Sequence, residues 1–271
     1  MSNVLRHIDL LRNYDSLSDA DRAALRAELS EMNLLTPDHA NAKTAKNMGR
    51  GFASYILHLA PANVSGVNMC PAASMGCKAA CLNTAGRGRF KAIQDSRIRK
   101  TLYYLKVKDL FLSQLFKEIS KLRVKAAKAG LQAVVRLNGT SDVPWEYIKH
   151  ADQSPFEAFP DVQFYDYTKV FSRLARLKAL ALPNYHVTFS RSESNESLAL
   201  QALMLGFNVA AVFNRIPTEY QGHAVVNGDE HDLRFLDKGD GVIVALKAKG
   251  DAKRDASGFV IQLPSVESEA A

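Results

Sequence analysis

From Leu131 to Phe213 the chain alternates between a strand period and a helix period, and this alternation constrains the fold more than any other feature. Ala133-Val134-Val135-Arg136-Leu137-Asn138 reads as a strand ending in Gly139-Thr140-Ser141-Asp142. Asp161 to Tyr165 is a second, ending in Asp166-Tyr167-Thr168-Lys169, and Phe171, Leu174, Leu177 and Leu180 then share one helix face. Tyr185 to Phe189 is a strand ending in Ser190-Arg191-Ser192, and Asn195 opens a helix that stops at Gly206. Phe207 to Phe213 is a strand ending at Asn214-Arg215. Upstream, Phe52 to Leu59 reads as a first buried strand; downstream, Val242 to Leu246 and Phe259 to Leu263 are strands with little helix between them. Strands alternating with helices join by right-handed crossovers into a mostly parallel sheet. Six to eight strands are expected, an α/β architecture that fits a whole or partial TIM-like β/α barrel with a helix-poor second half.

The flanks are simpler. Residues 18–32 read as a helix, with Ser18 and Asp21 in a capping-box arrangement, and Thr36-Pro37 ends it. Residues 38–50 are polar and irregular, a linker or a lid. Residues 1–50 thus form a helical extension, 51–263 one barrel-like domain, and 264–271 an acidic, frayed tail. A long helix is expected from the recurrence of Ile98, Leu102, Leu105, Leu112, Leu115, Ile119 and Leu122, with one skipped turn, until Gly130 stops it.

All three cysteines fall between positions 70 and 81, in Cys70-Pro71-Ala72-Ala73-Ser74-Met75-Gly76-Cys77-Lys78-Ala79-Ala80-Cys81. Thiolates select soft metals, so three in one loop suit a [4Fe–4S] cluster with one iron open to a further ligand. A Cys₃His zinc site with His58 is the second reading. Buried small apolar residues, or a redox-active thiol pair, is the third. The odd count and the lack of a secretory apolar segment argue against a disulfide framework and for a reducing, cytoplasmic setting.

Strand-end residues of a β/α barrel share one mouth, where ligands bind. The cysteine loop follows a strand and is expected at that mouth. Arg136, Asn138, Asp142, Asp166, Lys169 and Ser190 are the candidate ligand-binding residues there, joined by Arg87 from the glycine–arginine turn after Cys81. Arg87 or Arg136 would balance the charge of an anionic cluster or carboxylate.

The net charge of +7 is concentrated between Arg87 and Lys128. A solvated helix face explains such a run, and contact with nucleic acid is the alternative. Hydrophobic residues make up 47% of the 271, enough for one sizeable core, yet no run of about 18 apolar residues exists to span a membrane. His223 to Arg234 contains two histidines and three acids; Asn227-Gly228 within it reads as a turn, with a second metal site as the alternative.

Several motifs together carry a resemblance. The loop Cys-Pro…Gly-Cys-Lys-x-x-Cys-Leu-Asn-Thr-Ala-Gly-Arg-Gly, the segments 135–142 and 164–169, and Gly228-Asp229 with Asp232-Leu233-Arg234 are similar to the phage-encoded gene product 88-like proteins. The similarity spans roughly residues 50–250 and implies a host cytoplasmic setting. A second similarity is to radical S-adenosylmethionine enzymes, which carry three cysteines on the loop after the first strand of a partial barrel. Their spacing is Cys-x₃-Cys-x₂-Cys, whereas this loop is Cys-x₆-Cys-x₃-Cys, and no glycine-rich motif follows the second strand.

Two functions are expected to compete. One is an iron–sulfur protein doing redox or radical-type chemistry on a small ligand, with an electron donor as partner and S-adenosylmethionine as an optional ligand of the open iron. The other is a non-enzymatic module with a structural zinc or cluster, contacting nucleic acid or a host protein.

Overall fold

Each strand read from the alternation forms, and all of them enter one sheet. The computed structural model describes residues 3–37 and 44–264. Ten strands occur among them: β1 Leu35–Pro37, β2 Phe52–Leu57, β3 Gln132–Arg136, β4 Gln163–Thr168, β5 Tyr185–Ser190, β6 Val209–Phe213, β7 Glu219–Tyr220, β8 His223–Asn227, β9 Ile243–Lys247 and β10 Val260–Ile261. Their order is β1-β2-β3-β4-β5-β6-β9-β8-β7, with β10 also on β6. β2 through β9 and β8 pair in parallel, as the crossovers require.

The TIM-like barrel does not form. β1 lies antiparallel on β2 at one edge, and at the other β7 folds back on β8 as an antiparallel hairpin. The two edges do not pair, so the sheet stays open. The hairpin stands where the next helical crossover of a barrel would be. β10 is the other departure. β5 pairs with Val209 and Ala210 of β6, and β10 takes the same flank further along, at Val212 and Phe213. The chain therefore adds a strand beside β5 instead of beyond the edge.

Helices α1 (Asn3–Arg12), α2 (Asp19–Ser30), α4 (Lys91–Lys106) and α5 (Lys108–Lys128) cover one face. Alternate residues of a strand share a face. Ala53, Tyr55 and Leu57, Ala133, Val135 and Leu137, and Phe164 point into this helix-covered core with Ile8, Leu11, Leu25, Leu29, Tyr103 and Phe111. The 1–50 segment is therefore more than an extension: α1 packs in the main core and residues 35–37 are a strand. Residues 44–50 form a 3₁₀ turn tied to β2 by an Asn47–Ser54 hydrogen bond of 2.7 Å. The rest of the expected linker, 38–43, and the tail beyond Pro264 lie outside the described residues.

The single long helix expected between Ile98 and Gly130 is two. Val107 leaves the helical region (φ −135°, ψ 51°) at the apolar turn skipped between Leu105 and Leu112. Its position is fixed by burial, since Val107 is 1% exposed.

Helices α7 (Ser172–Leu180) and α8 (Glu196–Met204) complete the same covered face over β5, β6 and β9, around Phe189, Ala211, Phe213 and Ala245. The opposite face meets the β8–β9 connection, where Leu233 packs on Val134 and Tyr165, and Phe235 is edge-on to Phe52 with ring centroids 5.3 Å apart.

One ion-pair cluster ties the strand ends together. Arg173, on the first turn of α7, makes a bidentate pair with Glu146 (2.8 Å on both arms) and reaches Asp142 at 2.6 Å. All three side chains are at least nine-tenths buried. Removing one partner from a buried pair leaves a charge without compensation. Arg173→Met is expected to destabilise the fold by about 3–5 kcal/mol, whereas Arg26→Ala, which breaks the exposed pair with Asp109, should cost under about 1 kcal/mol. Urea unfolding of the two variants checks the contrast.

Candidate functional site

The cysteine loop is stitched across the C-terminal ends of the strands. Gly139 N–H donates to Leu57 O (2.9 Å), Asp142 N–H to Met69 O (2.9 Å), and Thr140 Oγ1 to Leu59 O (2.6 Å), which binds the loop after β2 to the loop after β3. Cys70 Sγ sits 3.7 Å from Thr140 O. Cys77 lies on the short helix α3 (Met75–Ala79), whose N-cap Ser74 accepts from the Cys77 N–H at 3.1 Å.

Glu193, just past β5, holds that helix by accepting from Ser74 Oγ (2.8 Å) and the Gly76 N–H (2.7 Å). Position 76 has room for nothing larger than glycine: a Cβ there would lie 2.2 Å from Ser257 Oγ and 2.7 Å from Phe259 Cβ. Cys77 packs against the small cluster of Ala248, Ala252, Phe259 and Val260. Cys81 opens a 3₁₀ turn (Leu82–Thr84), its sulfur 3.5 Å from the Asn83 N–H. Asn83 Oδ1 in turn accepts from Arg97 Nη1 at 2.5 Å. The loop thus touches the C-terminal ends of β2, β3 and β5, as the strand-end argument expected, and also the start of β10.

The three sulfurs are half-buried and feel one another. Burial pushes the Cys70 thiol up to about 11, with Asp142, Cys81 and Cys77 adding to the rise against the Ala62 N–H. Burial also raises Cys81, with Cys77 adding to the rise and the Asn83 N–H, then Arg97 and Lys169, opposing it. As the side chains stand, no group of three His, Cys, Asp or Glu among the described residues is arranged to hold a metal ion. That statement covers the alternative second metal site at 223–234, where Asn227 forms the expected turn, its Oδ1 accepting from the Asp229 N–H at 3.1 Å.

A sequence profile of the gene product 88 family matches residues 30–263 of the chain. The chain belongs to the gene product 88 family. No curated protein and no solved structure matches it. For this gene product 88 protein the site must therefore be read from its own residues.

The candidate ligand-binding residues divide into two sets. Asn138, Asp142 and Asp166 lie beneath the mouth and are consumed in holding it. The Asp166 carboxylate accepts from the Asn138 N–H (2.7 Å), Asn138 Nδ2 (3.2 Å) and Tyr185 Oη (3.3 Å). Asn138 Oδ1 accepts from Ser141 and Val143, and Asp142 binds Arg173 and the Lys169 N–H. Arg136 is paired with Asp232 (3.4 Å) and lies over the Tyr167 ring, 4.6 Å from its centroid. Lys169 and Ser190 form the second set. Both are half-buried, joined Nζ to Oγ at 2.6 Å, with the ammonium 5.7 Å from the Phe259 ring centroid beside Cys77. Arg87 is exposed on the turn after Cys81.

Sequence reasoning passed over Glu193, Arg97 and the electrostatic setting of His58. Glu193 directly follows the Ser190-Arg191-Ser192 strand end, which was signal enough. Arg97 was hidden in a run read as a solvated basic face; its spacing with Thr101 and Tyr104, at i+4 and i+7, marks the inward side of α4, and it is 9% exposed. His58 is held neutral, its imidazole pushed down to about 3 by burial, Arg97, Arg136 and Lys100. The face-outward reading does hold for Lys117, Lys121, Lys125 and Lys128 of α5.

Burial raises the Asp166 carboxyl to about 7, against Arg136, the Asn138 N–H and Arg173. The folded protein then holds a proton that the unfolded chain releases near 3.8. This contribution is full below that value and is lost as pH rises to about 7, at no more than about 1.4 kcal/mol per pH unit. Asp166→Asn keeps the side-chain shape without the titration. Its stability relative to the parent should climb between pH 4 and 7 and stay level above; parallel curves would remove Asp166 from the account.

Proposed function

We propose that this protein is an iron–sulfur protein in which Cys70, Cys77 and Cys81 hold one [4Fe–4S] cluster at the strand ends, with redox chemistry on a small ligand at the open iron. The observation that carries the reading is the placement of every thiol in the chain on one loop, seated over four strand ends and built from a stretch with no Asp or Glu between residues 39 and 94. Three soft donors without a fourth suit a cluster with an open iron better than a closed zinc site. When bound, the cluster supplies one-electron redox chemistry and a Lewis-acidic iron.

The chain's own groups do the rest. Glu193 fixes the helix that presents Cys77, Thr140 O accepts from the Cys70 thiol before its proton is given up, and the Asn83 N–H donates to the Cys81 sulfur. Lys169 and Ser190 are the half-buried pair beside the loop suited to orient a small polar ligand. His58, neutral and close to Arg97 and Arg136, is no counter-charge to a ligand.

Protein purified anaerobically should be brown, with iron and acid-labile sulfide in equal amounts. Each of Cys70→Ala, Cys77→Ala and Cys81→Ala should lose both, because two thiolates are too few to retain the cluster. Full iron in any one variant removes that cysteine from the ligand set, and a colourless protein with one tightly bound zinc replaces this reading with a structural metal.

S-adenosylmethionine is not the ligand this reading favours. Of the groups that could take its carboxylate and ribose, Arg191 is spent on Gly258 O (2.6 Å), Phe259 O (3.0 Å) and Glu196 (2.5 Å) and Asp166 lies 1% exposed beneath the mouth, which leaves Lys169 and Ser190 for two separate groups of the molecule. Dithionite-reduced protein mixed with S-adenosylmethionine should yield no 5′-deoxyadenosine. Cleavage that requires the three cysteines would reverse this assignment.

A further inference from the structure

The cations around the loop are unevenly paired. Arg173 faces two carboxylates, Asp142 and Glu146, Arg136 faces Asp232, and the Glu193 carboxylate is held by Ser74 Oγ and the Gly76 N–H. Lys100 is turned away, its ammonium on Leu34 O at 2.6 Å. Two cations at the loop, Arg97 linked through Asn83 to Cys81 and Lys169 over the Phe259 ring beside Cys77, have no carboxylate in an ion pair among the described residues. Arg97 is nine-tenths buried; its one hydrogen bond to a side chain goes to the neutral Asn83, and its Nε has no partner. Lys169 bonds only the neutral Ser190 hydroxyl and faces an aromatic ring.

A buried guanidinium without an anion is costly, and such groups are normally paired. Asn83 joins the two halves of the arrangement: its N–H is on Cys81 Sγ while its carbonyl holds Arg97. Gly88 keeps the turn closed, since a Cβ there would stand 2.6 Å from Leu82 O. The site that lacks negative charge is therefore the site of the sulfurs.

We propose that Arg97 and Lys169 are the fixed counter-charge of the thiolate centre, two positioning residues that set the charge state in which it is stable. This rests on the cluster reading above. A three-thiolate cluster is anionic, becomes more so when it takes up an electron, and is stabilised in the reduced form by cations held in a low-dielectric setting. The same field disfavours a neutral or cationic occupant. Arg136, already compensated by Asp232, has little effect on it.

The test is an EPR-monitored titration of the reconstituted protein with dithionite as the one-electron donor. Arg97→Gln keeps a donor for Asn83 while removing the charge, and Lys169→Met removes the second. Each should shift the reduced-to-oxidised ratio about tenfold toward oxidised at fixed potential, a fall of about 59 mV for one electron. Arg97→Lys should return most of the shift, and Arg136→Met should move the ratio less than about threefold, the margin of a compensated charge. If Arg97→Gln fails to fold, Lys169→Met alone still decides, since it removes a single side-chain hydrogen bond. Unchanged potentials in a protein that holds its cluster would overturn the counter-charge assignment alone, as would equal shifts at positions 97, 169 and 136. A parent protein that takes up no iron would overturn both this inference and the cluster reading.

Discussion

The buried Arg173 guanidinium is the constraint on which the site depends. It grips Asp142 and Glu146, four residues apart in the loop that follows β3, and Asp142 spends its second oxygen on the Lys169 N–H after β4. The same loop supplies the Asp142 N–H to Met69 O and the carbonyl of Thr140 beside Cys70. A single cation, desolvated and fully partnered, thus sets the distance between two strand ends and the floor on which the thiols stand. In a dry interior this pairing is worth retaining only as a unit, because either half alone would be an uncompensated charge.

Above that floor the electrostatics change character. Below it, each guanidinium faces one or two carboxylates; at the loop, Arg97 and Lys169 face none in an ion pair among the described residues. The neutrality of His58 follows first from its burial, with Arg97, Arg136 and Lys100 further disfavouring another proton.

The strands were legible because each is a short apolar run bounded by Gly, Asn or Asp, and the parallel order followed from the helices between them. The closed barrel was wrong because edge pairing is set by pieces too short to show a period: three residues of β1 and two of β7. The break at Val107 was visible as a skipped apolar turn but read as noise. Within the site, residue types were right and roles were not. Asn138, Asp142 and Asp166 are polar at strand ends, as ligand-binding residues are, yet their hydrogen bonds run inward. Polarity in a sequence does not reveal which side of a loop its partner is on. Arg97 shows the converse: a basic residue among basic residues, buried because one helix face had to turn toward the sheet.

The parallel strand β10 has a consequence for the order in which the protein is made. It lies on β6, in the gap that β5 leaves, and the residues just before it, Ser257 and Phe259, form the wall against which Gly76 is seated. The cysteines leave the ribosome some 180 residues earlier than this wall. During synthesis the thiol loop is complete long before residues 257–260 emerge, and until then it has nothing to close against. The closing of the loop therefore waits on a two-residue strand far along the chain.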